Sequence, residues 1–131
     1  MTGRFEKYNF GGYDFMCRTY CTSRSWGHEV YMMDGAIEVA KAKIRYFNRT
    51  WEAYQFQTAI CEALENYKKD MLKRYINAYK ISNGYIEYDR ETFEEIEKPL
   101  PRGMKKKLEE EFEQSKDGLK IEQAKHAIMQ G

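Results

Sequence analysis

The stretch Ala40-Lys41-Ala42-Lys43-Ile44-Arg45-Tyr46-Phe47 alternates small or apolar residues with basic ones, and Asn48-Arg49-Thr50-Trp51-Glu52-Ala53-Tyr54 follows it directly. Period-two alternation predicts a strand with one buried face, while from Trp51 onward the apolar residues recur at helical spacing. The period changes within a few residues, so residues 41–79 decide how sheet and helix meet. Phe56, Ile60, Ala63, Leu64, Tyr67, Met71 and Tyr75 form the helix stripe, and the strand face with Ala40, Ala42, Ile44 and Tyr46 is its nearest partner. Asn48 or Thr50 is the natural N-cap, and Glu52 falls in the first turn, where the helix dipole favours negative charge.

Upstream, residues 1–12 are polar and aromatic and predict an arm or a frayed edge strand closing at Gly11-Gly12. Tyr13, Phe15, Cys17, Thr19 and Cys21 alternate with Asp14, Met16, Arg18, Tyr20 and Thr22, which predicts a half-buried strand. Ser23-Arg24-Ser25-Trp26-Gly27 has loop composition. A strand over His28–Met33 then ends at Asp34-Gly35, a pair suited to the centre of a type I′ turn, and a third strand spans Ala36–Phe47. Asn83-Gly84 ends the long helix as a left-handed cap or opens a second hairpin, with Tyr85-Ile86-Glu87-Tyr88 as a short fourth strand. Pro99-Leu100-Pro101 stops any helix in the acidic run before it. A charged helix anchored by Met104, Leu108 and Phe112 follows, Asp117-Gly118 breaks it, and Leu119, Ile121, Ala124, Ala127 and Ile128 mark one more. The expected fold is α+β: a three- or four-stranded antiparallel meander packed on one long helix, with a charged helical tail. Residues 1–88 form the core domain and 89–131 an extension packed on it or on a partner.

The chain has 131 residues, 22 basic against 21 acidic, and a net charge of +1. That length suits one domain, and the balance excludes a global basic field for nucleic acid, so binding of that kind needs a local patch. Three cysteines, no apolar leader and no long uncharged run predict a cytoplasmic chain with reduced thiols and no membrane span.

Cys17, Cys21 and His28 invite a zinc reading, but zinc takes four ligands in compact geometry, and two strand residues four apart lie roughly 13 Å from each other. Buried structural thiols fit better, and Cys61 belongs to the helix core. Gly11-Gly12 lacks phosphate-loop spacing, and no nucleophile sits beside a base and an orienting acid. Neither catalysis nor a cofactor or metal is expected. Two binding surfaces are. With Ala42, Ile44 and Tyr46 facing the helix, Lys41, Lys43 and Arg45 share the open sheet face with Arg18 and Tyr20, a platform for phosphates and stacked bases. Arg24, Trp26 and Arg49 form a second cluster of interface-type residues, with Trp26 either an exposed anchor or folded back over the helix start.

The segments Arg18-Thr19-Tyr20-Cys21-Thr22-Ser23-Arg24-Ser25-Trp26-Gly27-His28-Glu29 and Lys43-Ile44-Arg45-Tyr46-Phe47-Asn48-Arg49-Thr50-Trp51-Glu52-Ala53-Tyr54 resemble small accessory proteins of phages and mobile elements in Gram-positive bacteria, over roughly residues 13–67. The resemblance implies an anti-defence role, inhibitors of CRISPR-Cas nucleases being a prominent class of such proteins. The expected partner is then a host CRISPR-Cas effector, Cas9-type favoured, or its guide RNA. Glu87, Asp89, Glu91, Glu94, Glu95 and Glu97 would imitate a phosphate backbone in its basic channel. The alternative is a small accessory protein that binds nucleic acid itself through the basic sheet face.

Overall fold

The computed structural model describes residues 4–47 and 56–130. The expected N-cap at Asn48 or Thr50, the helix opening from Trp51 to Tyr54, and Arg49 lie outside the described residues. Four strands, β1 (Glu6–Phe10), β2 (Tyr13–Cys21), β3 (Trp26–Asp34) and β4 (Ile37–Tyr46), form an antiparallel sheet in the order β1-β2-β3-β4. The long helix α1 spans Gln57–Ser82; β5 (Ile86–Tyr88) and β6 (Glu95–Glu97), then α2 (Met104–Gln114) and α3 (Lys116–Gln130), complete the chain. The α+β expectation holds. The described chain clusters into two compact units, residues 1–68 with 120–131, and residues 69–119, so the division falls inside α1 and inside α3.

In the first unit one sheet face is sealed. Phe15, Cys17, Val30 and Met32 have no exposed surface, and Tyr13 is 2% exposed. Ala59, Ile60, Ala63, Leu64 and Tyr67 of α1 are buried, as are Ile121, Ala124 and Ile128 of α3. Ring contacts tie helix to sheet, Tyr13 to Tyr67 at 5.5 Å and His28 to Phe56 at 4.4 Å. The end of α3 joins the same layer: Gln57 Nε2 donates to the Ile128 carbonyl at 2.9 Å, and Ala124 lies so close to Gly11 that a Cβ there would sit 2.6 Å from its Cα. On β4 only Ala42 is buried, while Ile44 and Tyr46 are half-buried. The sequence placed the centre of the core on that strand. It sits on β2 and β3 because β4 is an edge, with neighbours on one side only.

Several boundaries differ from expectation. Trp26 and Gly27 belong to β3, paired with Cys21 and Tyr20, and not to a loop. Asp34 pairs with Ile37, so the centre of the hairpin turn is Gly35-Ala36. Gly35 has φ of 65° and Ala36 is not among the positive-φ residues, the pattern of a glycine-first turn of the II′ class, which needs positive φ at one centre only. The fourth strand of the main sheet is β1, because the expected arm pairs with β2 from Glu6 to Phe10. Cys21 is exposed, Cys61 half-buried, and Leu119, assigned to the last apolar stripe, is 50% exposed.

In the second unit, Tyr85 N–H bonds the Lys80 carbonyl at 2.7 Å and Gly84 N–H the Ile81 carbonyl at 3.4 Å, the two bonds that close a helix on a left-handed glycine. Asn83-Gly84 is therefore the cap of α1 and not a hairpin turn. The strand after it, β5, pairs with β6, and the two form a two-stranded ribbon that spans the acidic run. Leu108 and Phe112 are buried as expected, with Phe112 against Tyr75 at 5.7 Å. Asp117 and Gly118 lie within α3, and the break falls at Ser115, whose hydroxyl accepts the Gly118 N–H at 3.2 Å as an N-cap.

Ile60, 3% exposed, tests the sealed face. Ile60→Ala should cost about 2–5 kcal/mol in denaturant unfolding, and Ile44→Ala clearly less because Ile44 is only half-buried. Equal costs would contradict the placement of the core on β2 and β3.

Candidate functional site

Strand register determines what the open sheet face carries. Arg18 stands opposite Glu29 and Glu29 opposite Lys43, while Tyr20 stands opposite Gly27 and Gly27 opposite Arg45. The centre of this face is already paired. Arg18 Nε meets Glu29 Oε2 at 2.9 Å, the Arg18 guanidinium lies 4.9 Å from the Phe5 ring centre, and Tyr31 donates its hydroxyl to Glu29. These contacts hold the Glu29 carboxyl below its ordinary range, the Tyr31 hydroxyl first and Arg18 next.

Tyr20, expected as a stacking ring, is only 7% exposed. It folds across Gly27, where an added Cβ would come within 2.7 Å of its hydroxyl oxygen, and it donates to the Ile44 carbonyl at 3.4 Å. Lys43 Nζ covers the ring at 4.5 Å. No open ring face is left for a base. Lys41, Lys43 and Arg45 are exposed and make no ion pair among the described residues, so the expected basic row exists, as a line along the sheet edge.

Of the second cluster, Arg24 and Trp26 are described and Arg49 lies outside the described residues. Arg24 is exposed in a turn where Thr22 Oγ1 accepts the Ser25 N–H at 3.0 Å. Trp26 is half-buried against Tyr46 at 5.2 Å and His28 at 5.5 Å, which places it in the aromatic end of the core. Among the described residues no group of His, Cys, Asp and Glu is arranged to hold a metal. Cys17 is fully buried, and desolvation pushes its thiol up to about 12.

The acidic run is a ribbon with a built turn at its tip. Asp89 N–H bonds the Glu94 carbonyl at 2.9 Å, and Asp89 Oδ1 accepts the N–H groups of Glu91 at 2.8 Å and Thr92 at 3.2 Å. Phe93 N–H returns to the Asp89 carbonyl at 2.9 Å, and Phe93 itself has φ of 59° and is 81% exposed. At the base, Glu97 pairs with Lys80 at 2.6 Å and Glu87 with Lys98 at 3.8 Å. Asp89 is committed to the turn. Glu91, Glu94 and Glu95 remain exposed without an ion pair among the described residues, beside three exposed apolar side chains, Tyr88, Phe93 and Ile96.

Sequence inspection found the carboxylates and missed those apolar residues. Ile86-Glu87-Tyr88 falls in an expected strand, and the signal left unused is the same alternation in Glu95-Ile96-Glu97, which pairs with it. Comparison of the chain with family models, curated proteins and solved structures finds no match.

The pairing of Glu29 has a pH signature. A carboxyl held low in the folded state contributes stability above its ordinary value of 4.5, and that contribution is lost as pH falls through the lowered value. Melting temperature should therefore drop more steeply in acid for wild type than for Glu29→Gln. Parallel acid profiles would show that the Arg18–Glu29–Tyr31 contacts contribute nothing to stability.

Proposed function

We propose that this chain is a non-enzymatic anti-defence protein of a phage or mobile element. It inhibits a CRISPR-Cas nuclease, Cas9-type favoured, in the cytoplasm of the bacterial host. The observation that carries the mode of action is the ribbon. Three carboxylates without an ion pair among the described residues, Glu91, Glu94 and Glu95, flank in sequence an exposed aromatic, Phe93, at a turn fixed by four hydrogen bonds. Carboxylates held apart on a short ribbon attract a basic nucleic-acid channel, and a protruding Phe supplies the desolvated anchor that charge alone does not. The resemblance of residues 13–67 to phage accessory proteins supplies the partner class. Among the described residues no helix is long and apolar enough to cross a membrane, which accords with action inside the host cell.

Direct binding of nucleic acid by the sheet is the second reading, favoured by the exposure of Lys41, Lys43 and Arg45. The ring expected to stack bases is covered, since Tyr20 lies under Lys43.

The test is target cleavage by a broad panel of Cas nucleases across a salt series. Wild type should inhibit at least one. Glu91→Lys, Glu94→Lys and Glu95→Lys combined should weaken that inhibition by about tenfold or more at low ionic strength, and by less as salt screens steering. Phe93→Ala should weaken it at all salt concentrations. Failure to inhibit any member overturns the role; inhibition untouched by the ribbon variants overturns the mechanism. A gel shift with single-stranded DNA, duplex DNA and RNA distinguishes the second reading, which requires binding without a protein partner.

A further inference from the structure

We propose that the outer edge of β4 is a strand-addition site for an acidic, extended segment of a partner protein. The ladder leaves this edge open in a defined way. Residues of an antiparallel strand face their partner strand and face away from it in turn. The Ile44 carbonyl lies over Gly27 of β3 and accepts from Tyr20, while the Lys41 carbonyl points outward and accepts from Asn66 Nδ2 at 3.0 Å. Lys43 and Arg45 share the outward phase of Lys41, which turns their amide and carbonyl groups away from β3.

Their side chains stand in one row on the open face, at spacings of about 6.6 Å. Two copies of β4 laid side by side would bring these like charges together, which disfavours a second copy as the occupant. A strand with carboxylates at alternate positions pairs with every cation in the row. Its intervening side chains would lie on the face where α1 presents Glu62 and Asn66; a cavity of about 470 Å³ at this edge borders both of these, Lys41, Ala42 and Lys43, and Glu29 and Tyr31 of the open face. Glu62 rejects acids there, so the segment recognised carries acids at every second position and not in a block. Phe47, 75% exposed, and Ile37, 70% exposed, flank the edge at its two ends and add apolar surface for the incoming chain. A polynucleotide would use the same cations, but it offers no peptide groups to the open ladder and finds Tyr20 covered. The geometry therefore favours a protein strand.

The probes are a short synthetic peptide alternating Glu and Thr, its sequence isomer with the Glu residues in one block, and a single-stranded oligonucleotide. Binding is read by fluorescence anisotropy, with residue-resolved amide hydrogen exchange on the full chain. The alternating peptide should bind about tenfold or more tightly than the block isomer, from the sum of three cross-strand charge pairs, and should slow exchange at Lys43 and Arg45. Arg45→Gln should weaken it several-fold. Arg45→Pro, which removes an outward donor that β3 does not use, should abolish strand addition with the β3–β4 ladder intact. Should that variant unfold, the exchange measurement on wild type still decides. Equal affinity for the two peptides, no binding at low salt, or unprotected Lys43 and Arg45 amides in the complex would overturn the proposal. So would protection of those amides by self-association of the chain alone. Tighter binding of the oligonucleotide with those amides unprotected would make the row a phosphate platform instead.

Discussion

Sealing one face of the β1–β4 sheet is the constraint to which the first unit answers. Phe15, Val30 and Met32 leave water completely, each contributing about 1.5–3 kcal/mol, and among the described residues α1 and α3 supply the buried helical surface of the same unit. Once Phe15 and Val30 point inward, the pleat sends Arg18, Glu29 and Lys43 outward without any further choice. The charged open face is thus a by-product of the core, and selection can act only on which polar residues stand there. What stands there is largely self-neutralised at the centre, by Arg18 with Glu29, and basic at the β4 edge.

A formal charge of +1 conceals this segregation. The first unit carries an exposed cationic row on β4, the second an exposed anionic tip on the β5–β6 ribbon. Each local field acts within about a Debye length, roughly 10 Å at moderate salt, so a partner meets the local surface and not the sum. The composition excluded a uniformly basic protein correctly but was silent on where opposite charges gather.

Elements with strict period were legible in the sequence. The alternation in β2 and β4 and the stripe Ile60, Ala63, Leu64, Tyr67 predicted both their type and their buried faces. Misplacements arose where a local rule met a tertiary contact. Trp26-Gly27 has loop composition, yet Gly27 is needed in the strand because Tyr20 lies across it. Asp34-Gly35 has the preferred turn residues, but the pairing of Asp34 with Ile37 moves the centre one position on. The depth of the core on β2 and β3 follows from strand order, which no window of sequence contains. At the ribbon the carboxylates were plain, while the pairing of Ile86 with Glu97 spans a turn of mixed composition and leaves no short-range trace.

The close seat of Gly11 against Ala124 has a consequence for biosynthesis. Local hairpins such as β1–β2 and β3–β4 form early, because their contacts are near in sequence. The helical segment 120–130 that helps cover them is translated long afterward. During that interval the nascent sheet shows part of its apolar face to water, a state in which chains associate wrongly. A charged β4 edge slows such association while the ribosome finishes the lid. The arrangement trades early completion of the hydrophobic interior for a closure that joins distant parts of the polypeptide in a final, cooperative step.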